Sequence, residues 1–362
     1  MKSDLELFKD YYLNIRNDLE NVINTYNEEV VKNKKGYLKH NLELFCNLNR
    51  DGKLVRGFLI ALGYKIAKEE NVDYSYPLAL AYEIFQTSVL VHDDIIDGDN
   101  LRRGKETIHY HNYELNKNYN DQLAHKTGDS IAICMGDYGC YEANKQIINN
   151  YKNDKNFSKI LDYYNDIVLK TIEGELIDVE LSFDGRYRLK DTNIYDNIMS
   201  IYRLKTAYYT IIGPLNLGLM LGDISDDKLK EIESFGEKVG IAFQIQDDIL
   251  GIFSDMGKVI GSDIKEYKQT LLFSYAVEKD EYKDELLKYY GKEDLTNEEI
   301  EIVRDLFKKS GSYDYANNLM NNMYTESLNI LNGINWIKDE DKKLLTGFVE
   351  YLRKRNKWEL KK

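Results

Sequence analysis

Residues 91–104 read VHDDIIDGDNLRRG, with four aspartates inside seven positions and two arginines close behind. Asp93 and Asp97 are four residues apart, so on a helix their carboxylates share a face. Like charges at that spacing repel, and on an apolar helix they need a cation between them or raised pKa values. Hard carboxylate oxygens suit Mg²⁺, which keeps several waters and shares its shell with substrate phosphates. A second cluster, Gln246-Asp247-Asp248 in FQIQDDILGIF, also ends an apolar stretch. Two such helix ends facing across a cavity would hold several Mg²⁺ and one diphosphate.

The cations that a diphosphate needs are nearby in the sequence. Arg102 and Arg103 follow the first cluster, and Lys258 and Lys268 follow the second in GKVIGSDIKEYKQT. Lys205-Thr206 sits within YRLKTAYY, and Lys53 and Arg56 open an earlier helix in DGKLVRG. Guanidinium forks grip phosphate oxygens in pairs, and lysines supply point charges. Rival motifs fail on ligands. An EF-hand reading of the first cluster puts Ile95 at position 3 and Gly104 at position 12. A P-loop reading of Gly251–Lys258 has five residues between its glycines and Val259 in place of Ser or Thr. A solvated acidic surface is the default for one DDxxD run, but here two clusters each cap an apolar helix.

The elements that must carry these residues read as helices. Only two prolines occur in 362 residues, Pro77 and Pro214, and hydrophobic residues at 43% supply a core. Residues 53–68 are amphipathic, and LALAYEIFQTSVLVHDDIID is apolar nearly all round, ending at Gly98. Residues 105–127 read as a polar loop with a short helix, a buried helix starts at GDSIAICMGD, and 253–270 reads as a loop. No linker is Gly/Ser/Pro-rich, so a single domain over residues 1–362 is the simpler expectation. The net charge of −13 argues against nucleic acid as a partner. The N-terminal MKSDLELFKDYY lacks the apolar core of a signal peptide and the longest apolar stretch reads as too short to span a bilayer, so a soluble protein is expected. Cys46, Cys134 and Cys140 read as reduced core thiols of a cytoplasmic protein. His92 reads as a polar contact beside Asp93, and His109 and His111 as loop residues and not ligands.

As a set, these stretches resemble the trans-isoprenyl diphosphate synthases, or polyprenyl synthetases. LVHDDIIDGDNLRRG is similar to the family's first aspartate-rich motif with its arginine pair, and GKLVR at 52–56 to its GKxxR element. GDSIAICMGD, Lys205-Thr206, FQIQDDIL and GKVIGSDIKEYKQT follow in family order. The resemblance implies an all-α bundle of about ten or more helices around a deep central cavity, in a homodimer. It implies that Asp93 and Asp97 bind two Mg²⁺ and Asp247 a third, with Asp94 and Asp248 in support. It places Arg102, Lys205, Thr206, Gln244, Lys258 and Lys268 around an allylic diphosphate. It gives Gly52, Lys53, Arg56, Gln86 and Arg103 to isopentenyl diphosphate, with Arg355 in the basic tail RKRNK above them. The implied reaction is ionisation, condensation and elimination, carried by Asp93, Asp97, Arg102, Lys205, Asp247 and Lys258.

The chain departs from the family at Gly251, where many relatives have a third aspartate; Asp255 in the following loop is a candidate to compensate. Glu175 and Asp178 in EGELIDVE resemble a GQxxD element, or form an acidic helix face. In relatives, bulky residues four or five positions before the first aspartate stop the growing product. Here these are Val89 and Ser88, and Phe85 is the next aromatic. The floor then moves from roughly 7 Å to roughly 12 Å below the carboxylate, about one isoprene unit. That favours C20 geranylgeranyl diphosphate, with C15 or longer products open. A terpene cyclase would carry an NDxxSxxxE motif where this chain has QDDIL. A non-catalytic subunit of a heteromeric synthase would have lost more of the acids or cations.

Overall fold

Pro77 lies in the first turn of the Tyr76–Ile96 helix, where its missing N–H breaks no intrahelical bond. The helix buries apolar side chains around most of its girth and stops where Gly98 adopts φ +69. The Asp97 N–H donates to the Asp93 carbonyl at 2.8 Å, and the Asp99 N–H to the Asp94 carbonyl at 2.9 Å. Asp93 and Asp94 therefore occupy the last turn and Asp97 the cap. The computed structural model describes residues 2–50, 52–69, 71–187, 193–253, 261–292 and 294–354. Among the described residues the regular structure is helical, apart from a two-residue pairing of Leu101–Arg102 with Lys105–Glu106.

Contacts gather the chain into two units. One comprises Asp10–Tyr163 and Pro214–Ile224. In it, the Tyr76–Ile96 helix packs along the Asp121–Tyr151 helix, closely enough that a Cβ on Gly139 would stand 2.8 Å from Ser88 Cβ and 2.7 Å from the Phe45 ring. The other comprises Met1–Lys9, Tyr164–Gly213 and Ser225–Lys362. Its Asp226–Phe253 helix lies against the Ser312–Gly333 helix, where the Tyr324 hydroxyl donates to Gln246 Oε1 at 3.0 Å. It also lies against Tyr202–Ile212, a run of wide π-type turns inserted between the Ile194–Ile201 and Gly213–Leu221 helices. Runs of π geometry are rare and concentrate at functional sites.

The structure corrects two expectations. The helix through GDSIAICMGD starts at Asp121 and not at Gly128, because Asn120 caps it by accepting the Leu123 N–H at 2.9 Å. Cys134 is exposed and not part of the core, whereas Cys46 is buried. Of the expected 253–270 loop, Ser262–Lys265 forms one helical turn, and residues 254–260, with Lys258 and Asp255, lie outside the described residues. Arg355 lies outside them as well. Among the described residues, no helix is long and apolar enough to cross a membrane.

Candidate active site

The first acid cluster sits at the C-terminal end of a buried helix, where the backbone dipole is already negative. Adding three carboxylates there is costly without cations. Arg102 is a cation at hand. Its Nη2 is 3.4 Å from Asp93 Oδ2 and 3.6 Å from Asp99 Oδ2, and its Nε donates to Asp94 Oδ1. Asp94 is buried, while Asp93 and Asp97 are partly exposed. Burial pushes the Asp94 carboxyl up to about 7 against the pull of Arg102, and its Oδ2 is buried with no hydrogen-bond partner. Gln86 and Val89 lie on the same partly exposed side of the helix as Asp93, by their spacing of seven and four residues. Ser88 and His92 face the Asp121–Tyr151 helix instead. The Ser88 hydroxyl donates to the Gly136 carbonyl at 2.6 Å, and His92 Nε2 is 3.3 Å from the Ile133 carbonyl. Phe85 is buried, edge-on to Tyr82 at 5.7 Å.

In the same unit, Gly52, Lys53 and Arg56 form the entry to the Val55–Lys68 helix. Lys53 is exposed, and its carbonyl accepts the Tyr12 hydroxyl. Arg103 adopts φ +53 in the turn after Arg102. His109 Nδ1 is 3.1 Å from the Thr107 hydroxyl, and His111 Nδ1 is 2.7 Å from Glu106 Oε2, so both rings have local partners.

The second cluster is built from the other unit. Asp248 is buried and Asp247 partly exposed, near the C-terminal end of the Asp226–Phe253 helix. Burial pushes the Asp248 carboxyl up to about 7, although the Tyr202 hydroxyl and Gln244 donate to it. A chain of hydrogen bonds runs from Thr206 Oγ1 to Gln244 Oε1 at 2.5 Å and from Gln244 Nε2 to Asp248 Oδ1 at 2.8 Å. Lys205 Nζ lies 2.7 Å from Glu175 Oε2 and 2.8 Å from Asp178 Oδ2. The EGELIDVE acids thus meet a cation and are not merely a solvated face. Lys268 Nζ is 2.8 Å from Glu266 Oε2.

Tyr202, Asp263 and Glu83 are not among the residues to which the sequence pointed. Asp263 is buried, and a Cβ on Gly251 would run into its carboxylate. Glu83 was visible as the one acid in LALAYEIFQ, and Tyr202 as the tyrosine three residues before Lys205.

Among the described residues, no three His, Cys, Asp or Glu side chains converge into a ready metal cage. Mg²⁺ does not need one, because it binds through one or two carboxylates plus water and substrate phosphate. The donors fit it: all are hard oxygens, and burial pushes the Asp94 and Asp248 carboxyls up to about 7, which a bound cation would oppose.

The polyprenyl synthetase family model matches residues 39–307. A geranylgeranyl diphosphate synthase of Sulfolobus acidocaldarius is 28% identical over 361 residues, covering 98% of this chain and 100% of that protein. A short chain isoprenyl diphosphate synthase of Methanothermobacter thermautotrophicus is 30% identical over 272 residues, covering 73% of this chain and 75% of that one. The fold is that of a geranylgeranyl pyrophosphate synthase from Corynebacterium glutamicum solved with isoprenyl diphosphate and magnesium, at TM-score 0.84 and 24% identity, over 95% of this chain and 98% of that one.

Proposed function

The chain belongs to the polyprenyl synthetase family and is a prenyltransferase, and on that premise we propose the reaction it carries out. It condenses isopentenyl diphosphate with allylic diphosphates to an all-trans polyprenyl diphosphate, with C20 geranylgeranyl diphosphate as the product. The first acid cluster carries this reading: Asp93 and Asp97 stand partly exposed at the negative end of a buried helix, with Asp94 and Arg102 behind them.

Asp93, Asp97 and Asp247 would hold Mg²⁺, three ions in all, with Asp94 and Asp248 supporting. When bound, Mg²⁺ supplies electrostatic stabilisation to a leaving diphosphate. Arg102, Lys205, Lys258 and Lys268, with Thr206 and Gln244, bind and orient the allylic diphosphate and stabilise the charge that grows on it. The allylic C–O bond breaks with its electron pair going to the diphosphate. The isopentenyl double bond then attacks the allylic carbon, a C–C bond forms, and the released diphosphate takes the proton. Gly52, Lys53, Arg56, Gln86 and Arg103 hold isopentenyl diphosphate. Oxygens of Lys205 and Thr206 face the allylic cation, and a dry site keeps water from quenching it.

The enzyme acts in the cytoplasm as a homodimer. Leu169, Ile172, Leu176, Val179 and Phe183 support the dimer: all are exposed, at alternating three- and four-residue spacing along the Phe157–Tyr187 helix. The test of the reaction is incubation with Mg²⁺, isopentenyl diphosphate and C5, C10 or C15 allylic diphosphates, with products sized after dephosphorylation. A C20 product is expected. Another length keeps the reaction and discards the product assignment, and no condensation with any primer overturns the reading.

A further inference from the structure

Glu83 places an ionisable group in an otherwise apolar run and is only 4% exposed. Its carboxylate is directed at the start of the Val55–Lys68 helix. Oε1 accepts the Gly57 N–H at 2.8 Å. A Cβ on Gly57 would stand 3.2 Å from Oε1, and one on Gly52 would stand 3.8 Å from Oε2. The carboxylate therefore rests against both ends of GKLVRG. Between those ends, Leu54 takes φ +53, a left-handed conformation that a leucine rarely adopts. This bend buries Leu54 and leaves Lys53 exposed. Burial raises the Glu83 carboxyl, and the Gly57 N–H, Arg56 and Arg103 oppose that rise. Both arginines belong to the proposed isopentenyl diphosphate site.

We propose that Glu83 is the positioning residue of that half-site, pinning the Gly52–Gly57 turn through the Gly57 N–H and holding Arg56 and Arg103 together by charge. Two guanidiniums and a lysine gathered for one diphosphate repel one another before it arrives. A buried anion beneath them offsets that repulsion and keeps the donors fixed, as preorganised recognition of an anion requires. Glu83 does not itself touch the substrate, which a carboxylate would repel. The inference rests on the proposed function.

Glu83→Gln keeps an acceptor for the Gly57 N–H and removes the charge; Glu83→Asp keeps the charge on a shorter arm. Binding of isopentenyl diphosphate is read by calorimetry, and the KM of each substrate by condensation with Mg²⁺. Glu83→Gln is expected to weaken isopentenyl diphosphate binding and raise its KM by about 10-fold or more, while the allylic KM stays within about 2-fold. Partial recovery is expected in Glu83→Asp. Equal rises in both KM values, or a lower melting temperature with unchanged isopentenyl diphosphate affinity, would mean a merely structural carboxylate and overturn the proposal. If both variants fail to fold, Gly57→Ala presses on the same contact. Weakened isopentenyl diphosphate affinity there supports the role, and unchanged affinity overturns it. Wild type that condenses normally beside an unaffected Glu83→Gln removes only this inference. Wild type that neither binds isopentenyl diphosphate nor condenses it removes the functional reading as well.

Discussion

At Gly251 a Cβ would run into the Asp263 carboxylate, so the position where many relatives carry an acid is here bounded by one from another segment. Gly251→Asp would set two carboxylates against each other close to buried Asp248, a like-charge pair that raises pKa values and displaces Asp263. The substitution that restores the family motif on paper is therefore expected to lower the condensation rate, by about 10-fold or more if one interaction specific to the transition state is lost. A rate equal to or above wild type in a steady-state assay would refute the fitted pairing. Asp94 and Asp248 bear on pH. Their ordinary value of 3.8 rises to about 7 in the folded chain, so between those values the folded state binds more protons than the unfolded one. Their contribution to stability is full below pH 4, falls as pH rises through that window and is lost above about 7. Melting of chelator-treated protein should therefore move down as pH is raised from 5 to 8, by about 2–4 °C per kcal/mol. Added Mg²⁺ with inorganic diphosphate should raise the melting temperature more at pH 8 than at pH 5. An equal rise at both would show that these acids are not coupled to the ligand.

The Tyr76–Ile96 helix shows what a helical period reveals and what it hides. Its apolar run, its proline start and its glycine stop were all visible, and so was the stacking of Asp93 over Asp97. The period also puts Val89 near the Asp93 face and turns Ser88 about 140° away from it. The structure shows what meets Ser88 there: the Gly136 carbonyl, Cys140 Sγ at 2.9 Å, and Gly139 backed by Phe45. Both positions read as a floor in the sequence because the resemblance to relatives supplied them as a pair, and spacing alone does not name the partner helix that separates them. The prediction follows that Val89→Phe shortens the product and melts close to wild type. Ser88→Phe overpacks the helix contact and is destabilised by about 1–3 kcal/mol. Product sizing and thermal melts on both variants decide, and a shorter product from Ser88→Phe alone would reverse the assignment. The π-type turns at Tyr202–Ile212 had no signature in the sequence, because YRLKTAYY scans as an ordinary helix. What accompanies them is tertiary: Tyr202 bonds Asp248 and accepts the Leu271 N–H at 3.1 Å. A Cβ on Gly174 would stand 2.7 Å from the Lys205 backbone nitrogen, so Gly174→Val should displace Lys205 and cut turnover about 10-fold.

For the whole molecule, the Phe157–Tyr187 helix carries two chemistries on one rod. Asp178 and Glu175 reach Lys205, while Leu169, Ile172, Leu176, Val179 and Phe183 are each more than 40% exposed. Single exposed apolar residues need no explanation, but five in register at three- and four-residue steps have the spacing of a helix-pair seam, which suits the proposed homodimer. In the proposed homodimer a second copy of the same helix would supply a matching seam under twofold symmetry. A glutamate at the centre of that seam faces its own copy across the axis, where like charge and lost burial both oppose association. Leu176→Glu is therefore expected to turn a dimer into a monomer in light scattering at micromolar concentration, with helical content unchanged. Leu176 lies one residue from Glu175, so loss of the dimer should also loosen the ion pairs to Lys205. The allylic KM should then rise more than the isopentenyl diphosphate KM, whose proposed ligands Lys53, Arg56 and Arg103 lie on other elements. A variant that remains dimeric would reject the seam. A monomer with both KM values unchanged would keep the seam and show that Lys205 is held without it.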